Sequence, residues 1–296
     1  MNMAVTLPGI PDQELVAPGH RACAGCGCIL AMRYVLKALG KDIIVSMATG
    51  CMEVVTTPYP ETSWRVPWIH SAFENAAATA SGVAAGLKAM GKKGIKSVAI
   101  AGDGGTADIG LQALSGMVER GDDVLFVCYD NEAYQNTGIQ RSGATPFGAW
   151  TTTTPIGKVT RGKDRPKKDL PAIIAAHRAP YVATASVAYP LDFIKKLKKA
   201  AAIEGPTYVH VHAPCTPGWR IENNKTIEVS RLAVLTGVWV LYQVEGGQLN
   251  VTFKPPKRKP VAEYLKLQGR FRHLTDEEIA EIQRMVDEQC RRFGIE

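Results

Sequence analysis

The sequence predicts an α/β fold, a doubly wound and mostly parallel sheet with a C-terminal extension. Three observations carry that prediction. Short apolar runs alternate with helical patterns along most of the chain. Two of them, Val98-Ala99-Ile100-Ala101 and Val124 to Tyr129, flank a segment with Leu111, Leu114, Met117 and Val118 at helical offsets. Acidic, amide and thiol groups then follow the strands, at the edge where open α/β sheets bind ligands.

The stretch from Val98 to Gln140 organises the rest. Its first strand ends in Gly102-Asp103-Gly104-Gly105, a turn whose glycines let a ligand approach the backbone. A helix follows, closed by Gly121-Asp122-Asp123, and the second strand runs into Asp130-Asn131. Asp103 and Asn131 offer hard oxygens, which suit Mg²⁺ shared with a phosphate. Backbone N–H groups at the helix start suit an anion. A lone Gly-Asp-Gly reads more simply as a strand–turn–helix with a capping Asp. The Asn at the end of the next strand makes the pairing much more specific, and it points to a metal–diphosphate.

The remaining elements follow in order. Residues 1–22 are Pro-rich and read as an arm lying over a neighbour. Cys23-Ala24-Gly25-Cys26-Gly27-Cys28 forms a knuckle before a helix from Ile29 to Leu39. The strand Ile43–Ser46 leads to Thr49-Gly50-Cys51. A loop over 58–67 carries Trp64 and leads to Trp68 and His70, and a small-residue helix follows Glu74. His70 and Glu74 read equally as capping groups or as a wall of the pocket. Residues 134–154 have no period and read as a functional or interface loop. Lys158 to Lys168 reads as a solvated basic face, with docking of an acidic protein or of a ligand's phosphates as the alternative. A helix over 170–177, a strand over 181–186 and an amphipathic helix over 190–202 lead to the strand Tyr208–Val211 and to Cys215. These elements make one domain over residues 1–226.

From residue 227 the pattern changes. Val238 to Phe253 reads as a hairpin turning at Glu245-Gly246-Gly247-Gln248. Residues 254–260 form a stiff basic connector, and Thr275 to Glu278 is a capping box for a last helix. Lacking a core of its own, this extension over 227–296 is expected to wrap the main domain or a partner subunit.

Taken alone, the Cys23/Cys26 pair is half a zinc site, a redox dithiol or half an iron–sulfur site. A zinc ribbon needs a second such pair, which the sequence lacks. Cys51 and Cys215 each fall just past a strand, at the edge that holds Asp103 and Asn131. Four thiolates gathered there would hold a 4Fe–4S cluster. Cys128 reads as core packing, Cys290 as inert, and Cys28 as a neighbour of the cluster rather than a ligand.

Gly-Asp-Gly followed by Asn one helix and one strand later resembles the thiamine diphosphate fingerprint. With GDGGTADIGLQALSG and YDNEAYQNTGIQ in place, the chain more narrowly resembles the β subunits of the 2-oxoacid:ferredoxin oxidoreductases of pyruvate synthase type. The resemblance runs from ACAGCG to YLKLQGRFRHL. It implies that Asp103, Asn131 and the Ala133 carbonyl hold Mg²⁺, and that Asn136 lies over the reactive end of the cofactor. It implies a pocket formed with Thr49, Gly50, Cys51 and Gly102, with Gly104 and Gly105, and with Tyr134 and Thr137. It also assigns the 4Fe–4S cluster to Cys23, Cys26, Cys51 and Cys215.

The activity so implied is reversible oxidative decarboxylation of pyruvate with coenzyme A, giving acetyl-CoA and CO₂, with electrons leaving through the cluster to ferredoxin. The sequence shows no second cysteine set for outer clusters, so a further subunit is expected to carry them. Another is expected to supply an activating Glu and a substrate Arg. Oxalate, branched-chain 2-oxoacids or 2-oxoglutarate remain open as substrates, and so does a non-catalytic metal- or cluster-binding role.

Composition bounds the rest. With 296 residues and 46% hydrophobic content the chain is expected to be soluble and globular. No apolar run is long enough for a bilayer and no secretory signal pattern opens the chain, so a cytoplasmic protein is expected. Seven cysteines, unevenly clustered, argue against a disulfide framework. The net charge of +7 suits acidic partners or plain solvation. No aromatic-interleaved basic motif supports nucleic acid.

Overall fold

Strand β4, Val124–Asp130, is buried along its whole length and shows how the molecule is built. Its side chains alternate between two cores: Val124, Phe126 and Cys128 enter one, Leu125, Val127 and Tyr129 the other. A strand apolar on both faces requires cover on both faces. The computed structural model describes residues 8–296 and supplies that cover as two helical layers.

The first half of the chain runs α1 (Gly27–Leu39), β1 (Ile43–Ala48), α2 (Cys51–Thr56), β2 (Trp68–Ser71), α3 (Ala76–Ala89), β3 (Lys96–Gly102), α4 (Asp103–Ala107), α5 (Leu111–Glu119) and β4. After a long loop come α6 (Leu170–Ala176), β5 (Tyr181–Ser186), α7 (Pro190–Ala202), β6 (Thr207–His212), α8 (Thr216–Trp219) and α9 (Thr226–Thr236). The hairpin β7 (Leu241–Glu245) and β8 (Gln248–Phe253) precedes α10 (Val261–Lys266) and α11 (Asp276–Arg292).

Among the described residues eight strands form one sheet, in the order β2-β1-β3-β4-β6-β5-β7-β8. The first six are parallel and the hairpin adds two antiparallel strands at one edge. The doubly wound, mostly parallel fold read from the sequence is therefore the fold observed. Helices α1 and α7 cover one face, through Met32, Val35, Phe193 and Leu197. The other face takes α3, α5 and α6, and also the chain beyond residue 227: Leu232, Tyr264, Val286 and Cys290 share a core with Val182 and Tyr208. Thr275 caps α11 with both hydrogen bonds of the capping box.

Four differences from the sequence reading have physical causes. The helix after β3 is two helices, because the backbone at Asp108 leaves the helical region (φ −112°, ψ −94°) and ends α4 after one turn. The short edge strand β2 was not expected; it is too brief to show a period. The N-terminal arm lies partly on residues 1–7, outside the described residues. From Leu15 on it packs on its own chain, with Arg65 N–H donating to the Leu15 carbonyl and Ala17 N–H to that of Ser63.

The basic segment 158–168 is not a uniformly solvated face. Lys163 is 2% exposed, and its ammonium donates to the carbonyls of Gly143 (3.1 Å), Thr145 and Pro166 (3.3 Å). Lys167 turns inward to Asp130 (2.6 Å) and Glu132 (2.8 Å). Isolated charge counts cannot reveal such burial, because carbonyls and carboxylates from other segments make it affordable.

Candidate active site

β1, β3, β4 and β6 are consecutive neighbours in the sheet, and their carboxyl ends line up. Cys51 follows β1, Asp103 follows β3, Asn131 follows β4 and Cys215 follows β6. One pocket of about 180 Å³ opens over the first three of these ends. Thr49, Gly50 and Cys51 form one wall, and Gly102, Asp103, Gly104 and Gly105 the floor. Asn131, Ala133, Tyr134, Asn136 and Thr137 close the far side. The twelve pocket residues implied by the sequence resemblance thus meet in one place. Phe73, Tyr129 and Gln135 also line it and were missed. Phe73 lies between the two residues read as a possible wall, while His70 Nε2 stands 2.7 Å from Thr49 Oγ1.

The oxygens at the floor carry an unresolved conflict. Asn131 Oδ1 faces only acceptors, the Asp103 carboxylate and the Ala133 carbonyl; with the amide turned over, Nδ2 would lie 2.9 Å from each. With the amide oxygen inward, three oxygens converge, a donor set that fits a hard cation such as Mg²⁺. The Asp103 carboxyl is pushed up, first by burial and then by the charge of Asp130. A cation here would relieve both effects. Ser142, which sequence reading missed, donates to Asp103 Oδ2 at 2.5 Å.

Beneath this floor lies a buried charge network. Adjacent strand residues point to opposite faces, so Asp130 turns away from the pocket, to His210 Nε2 (2.7 Å) and Lys167. Glu132 is left-handed at φ 65° and pairs with Lys167 and with Arg270 Nη2 (2.5 Å). Burial alone would raise both carboxyls; Lys167, aided by His210 at Asp130 and by Arg270 at Glu132, reverses this and holds both below the ordinary range. Trp219 Nε1–H donates to the Asn131 carbonyl at 2.8 Å, and the Arg270 guanidinium stacks on the Trp219 ring at 3.8 Å. None of these long-range partners leaves a local sequence signal.

The cysteine knuckle is stapled beside the same edge. Gly25 is left-handed (φ 72°), and an added Cβ would stand 2.0 Å from the Asn223 carbonyl oxygen, so only glycine fits. Gly27 N–H donates to the Pro214 carbonyl at 3.0 Å, and Thr216 Oγ1 to the Ala24 carbonyl at 2.9 Å. These bonds hold Cys23 and Cys26 against the segment that carries Cys215. The thiols influence one another: Cys215 is pushed up to about 12, by burial and then by Cys26 and Cys23. Cys51 is pushed up by burial, then by Cys215 and Cys26. Cys26 is drawn down to about 7 by a hydrogen bond from Cys28. Among the described residues no three His, Cys, Asp or Glu groups converge on a single ion. A four-iron cluster stands between its thiolates and does not need such convergence; the donor set of four cysteines fits it. Cys128 and Cys290 lie elsewhere, buried in the core.

Residues 48–211 match the family model of the thiamine pyrophosphate enzyme C-terminal TPP-binding domain. Pyruvate synthase subunit PorB of Methanothermobacter thermautotrophicus is 60% identical over 286 residues, covering 97% of this chain and 99% of that protein. The chain belongs to the PorB family of pyruvate synthase subunits. It is thus a β subunit of the 2-oxoacid:ferredoxin oxidoreductase family. The PorB of Methanocaldococcus jannaschii is also 60% identical, covering 96% and 98% of the two chains. Ketoisovalerate oxidoreductase subunit VorB of Pyrococcus horikoshii is 50% identical, covering 96% and 94%. A 2-oxoglutarate:ferredoxin oxidoreductase from Magnetococcus marinus, solved with 2-oxoglutarate, coenzyme A and succinyl-CoA bound, shares the fold at 18% identity. Its TM-score is 0.59, covering 98% of this chain and 95% of that one. Among the described residues no helix is long and apolar enough to cross a membrane.

Proposed function

We propose that this chain binds thiamine diphosphate and Mg²⁺ and works on pyruvate, in a cytoplasmic complex that converts pyruvate and coenzyme A reversibly to acetyl-CoA and CO₂. The observation that carries this reading is the meeting of the Asp103 carboxylate and the Ala133 carbonyl with one end of the Asn131 amide, and of cysteine thiols with its other end. Asp103, Asn131 and the Ala133 carbonyl would hold the metal. The loop from Tyr134 to Thr137 would clasp the diphosphate, and Asn136 would lie over the reacting end. Thiamine diphosphate, when bound, supplies the carbon nucleophile and the electron sink for decarboxylation.

Cys23, Cys26, Cys51 and Cys215 would hold a 4Fe–4S cluster next to this site, and electrons would leave through it toward ferredoxin. A thiamine enzyme that only decarboxylates needs no cluster, so the four thiols favour oxidoreduction. Partner subunits complete the site on this reading. Among the described residues the pocket is lined by one carboxylate, Asp103, and Asn136 and Thr137 stand exposed at its mouth. A partner would bring the activating Glu and the substrate Arg, and another the outer clusters. Residues 1–226 would carry the chemistry, with 227–296 bracing it and meeting a partner.

The test is viologen reduction by the anaerobically purified complex with coenzyme A and a panel of 2-oxoacids. Pyruvate is expected to give the highest kcat/KM. The similarity to a ketoisovalerate oxidoreductase subunit favours branched-chain acids as the second reading, and a preference for 2-oxoisovalerate would replace the first with it.

A further inference from the structure

Cys28, the third cysteine of the knuckle, is outside the set of four. It lies in the first turn of α1 and is 1% exposed. With its oxygen inward, the Asn131 amide places Nδ2 3.4 Å from Cys28 Sγ and 3.9 Å from Cys51 Sγ. The S–H of Cys28 reaches the Ala213 carbonyl at 3.7 Å. With that proton directed at Ala213 or at the Cys26 sulfur, Cys28 Sγ presents lone pairs to Asn131.

The Asn131 amide has a choice of two orientations. Reversed, its NH₂ would donate to Asp103 Oδ1 and to the Ala133 carbonyl, both at 2.9 Å. That orientation gains two hydrogen bonds to good acceptors, and it places protons where a cation would bind. A cation bound to Asp103 and Ala133 requires the other orientation, with the amide oxygen inward. The acceptor on the opposite side, at closest range, is Cys28.

We infer that Cys28 is a positioning residue that holds the Asn131 amide with its oxygen toward the cation site. This rests on the reading of Asp103, Asn131 and Ala133 as the Mg²⁺ site. A thiol is a weak acceptor, but here it decides direction rather than strength. If Asn131 Oδ1 turned toward Cys28 it would meet a sulfur whose proton is already directed elsewhere.

The test is the Mg²⁺ concentration that half-saturates thiamine diphosphate binding to the anaerobically purified complex, followed by calorimetry. Cys28→Ala is expected to raise it about tenfold, equivalent to ~1.4 kcal/mol. Cys28→Ser removes a similar volume but keeps an oxygen acceptor, and is expected to stay within about twofold of wild type. Should Cys28→Ala fail to assemble, Cys28→Val fills the space without an acceptor and is expected to show the same loss. An assembled Ala or Val variant with wild-type Mg²⁺ dependence overturns the inference. So does a Ser variant as impaired as Ala, since packing alone would then explain both. A wild-type complex that binds thiamine diphosphate without Mg²⁺, or not at all, overturns the metal-site reading and this inference with it.

Discussion

Arg270 Nη2 lies 2.5 Å from Glu132 Oε2, with both side chains 3% exposed, so the C-terminal third of the chain closes on the residue that follows Asn131. Glu132 is also one of the few non-glycine residues held left-handed. Its backbone sits between two pocket residues, Asn131 and Ala133, and the ion pair fixes it there.

Arg270→Met is expected to destabilise the protein by about 3–5 kcal/mol, because it removes the buried guanidinium partner of Glu132 and leaves Lys167 shared between Glu132 and Asp130. The double variant with Glu132→Gln should recover much of that loss, since no buried charge is then left over. Denaturation midpoints of the two variants check this. Equal losses in both would mean that packing on Trp219, rather than charge, is what Arg270 contributes.

Gly104→Ala places a methyl group 2.4 Å from the Tyr134 ring at the pocket floor. Tyr134 is held by its hydroxyl, which donates to Asp108 at 2.8 Å, so the ring cannot simply swing away. Thiamine diphosphate affinity should fall about tenfold or more, with the cysteine-held iron content unchanged. Equilibrium dialysis against the cofactor measures the first and iron analysis the second.

His212 is buried at the end of β6 beside Tyr264, and burial draws its pKa from 6.5 down to about 4, against the pull of Glu132. Between these values the unfolded chain binds a proton that the folded chain does not. Stability should therefore fall as pH drops from 6.5 toward 4, by about 3 kcal/mol in total. The Asp130 carboxyl, held low, adds its own loss only at lower pH. Denaturation midpoints between pH 4.5 and 7 should show a steeper decline for wild type than for His212→Gln. Parallel lines would remove His212 from the account.

What the sequence discloses and what it hides divide along a physical line. Cys51, Asp103, Asn131 and Cys215 stand at or near strand ends, and strands announce themselves by local apolar runs. Their meeting at one edge was therefore legible. The insertion of β6 between β4 and β5 was not, since pairing partners are chosen by the whole sheet. Lys163 and Lys167 look like surface charges in the sequence because the carbonyls and carboxylates that bury them come from other segments. Arg270 lies 138 residues from Glu132, and nothing near it marks the pairing. Ser142 sits in an ordinary turn, and only the fold brings its hydroxyl to Asp103.

The central claim is that one edge of this sheet holds a thiamine diphosphate–metal site directly beside a four-cysteine cluster. Anaerobic purification with the partner subunits, followed by iron, sulfide, zinc and thiamine analysis of wild type and Cys51→Ala, tests it most directly. The account predicts one thiamine diphosphate per copy of this chain in wild type, and the loss of about four irons per copy in the variant. Zinc in place of iron with no thiamine, or an iron content unchanged by Cys51→Ala, would contradict it.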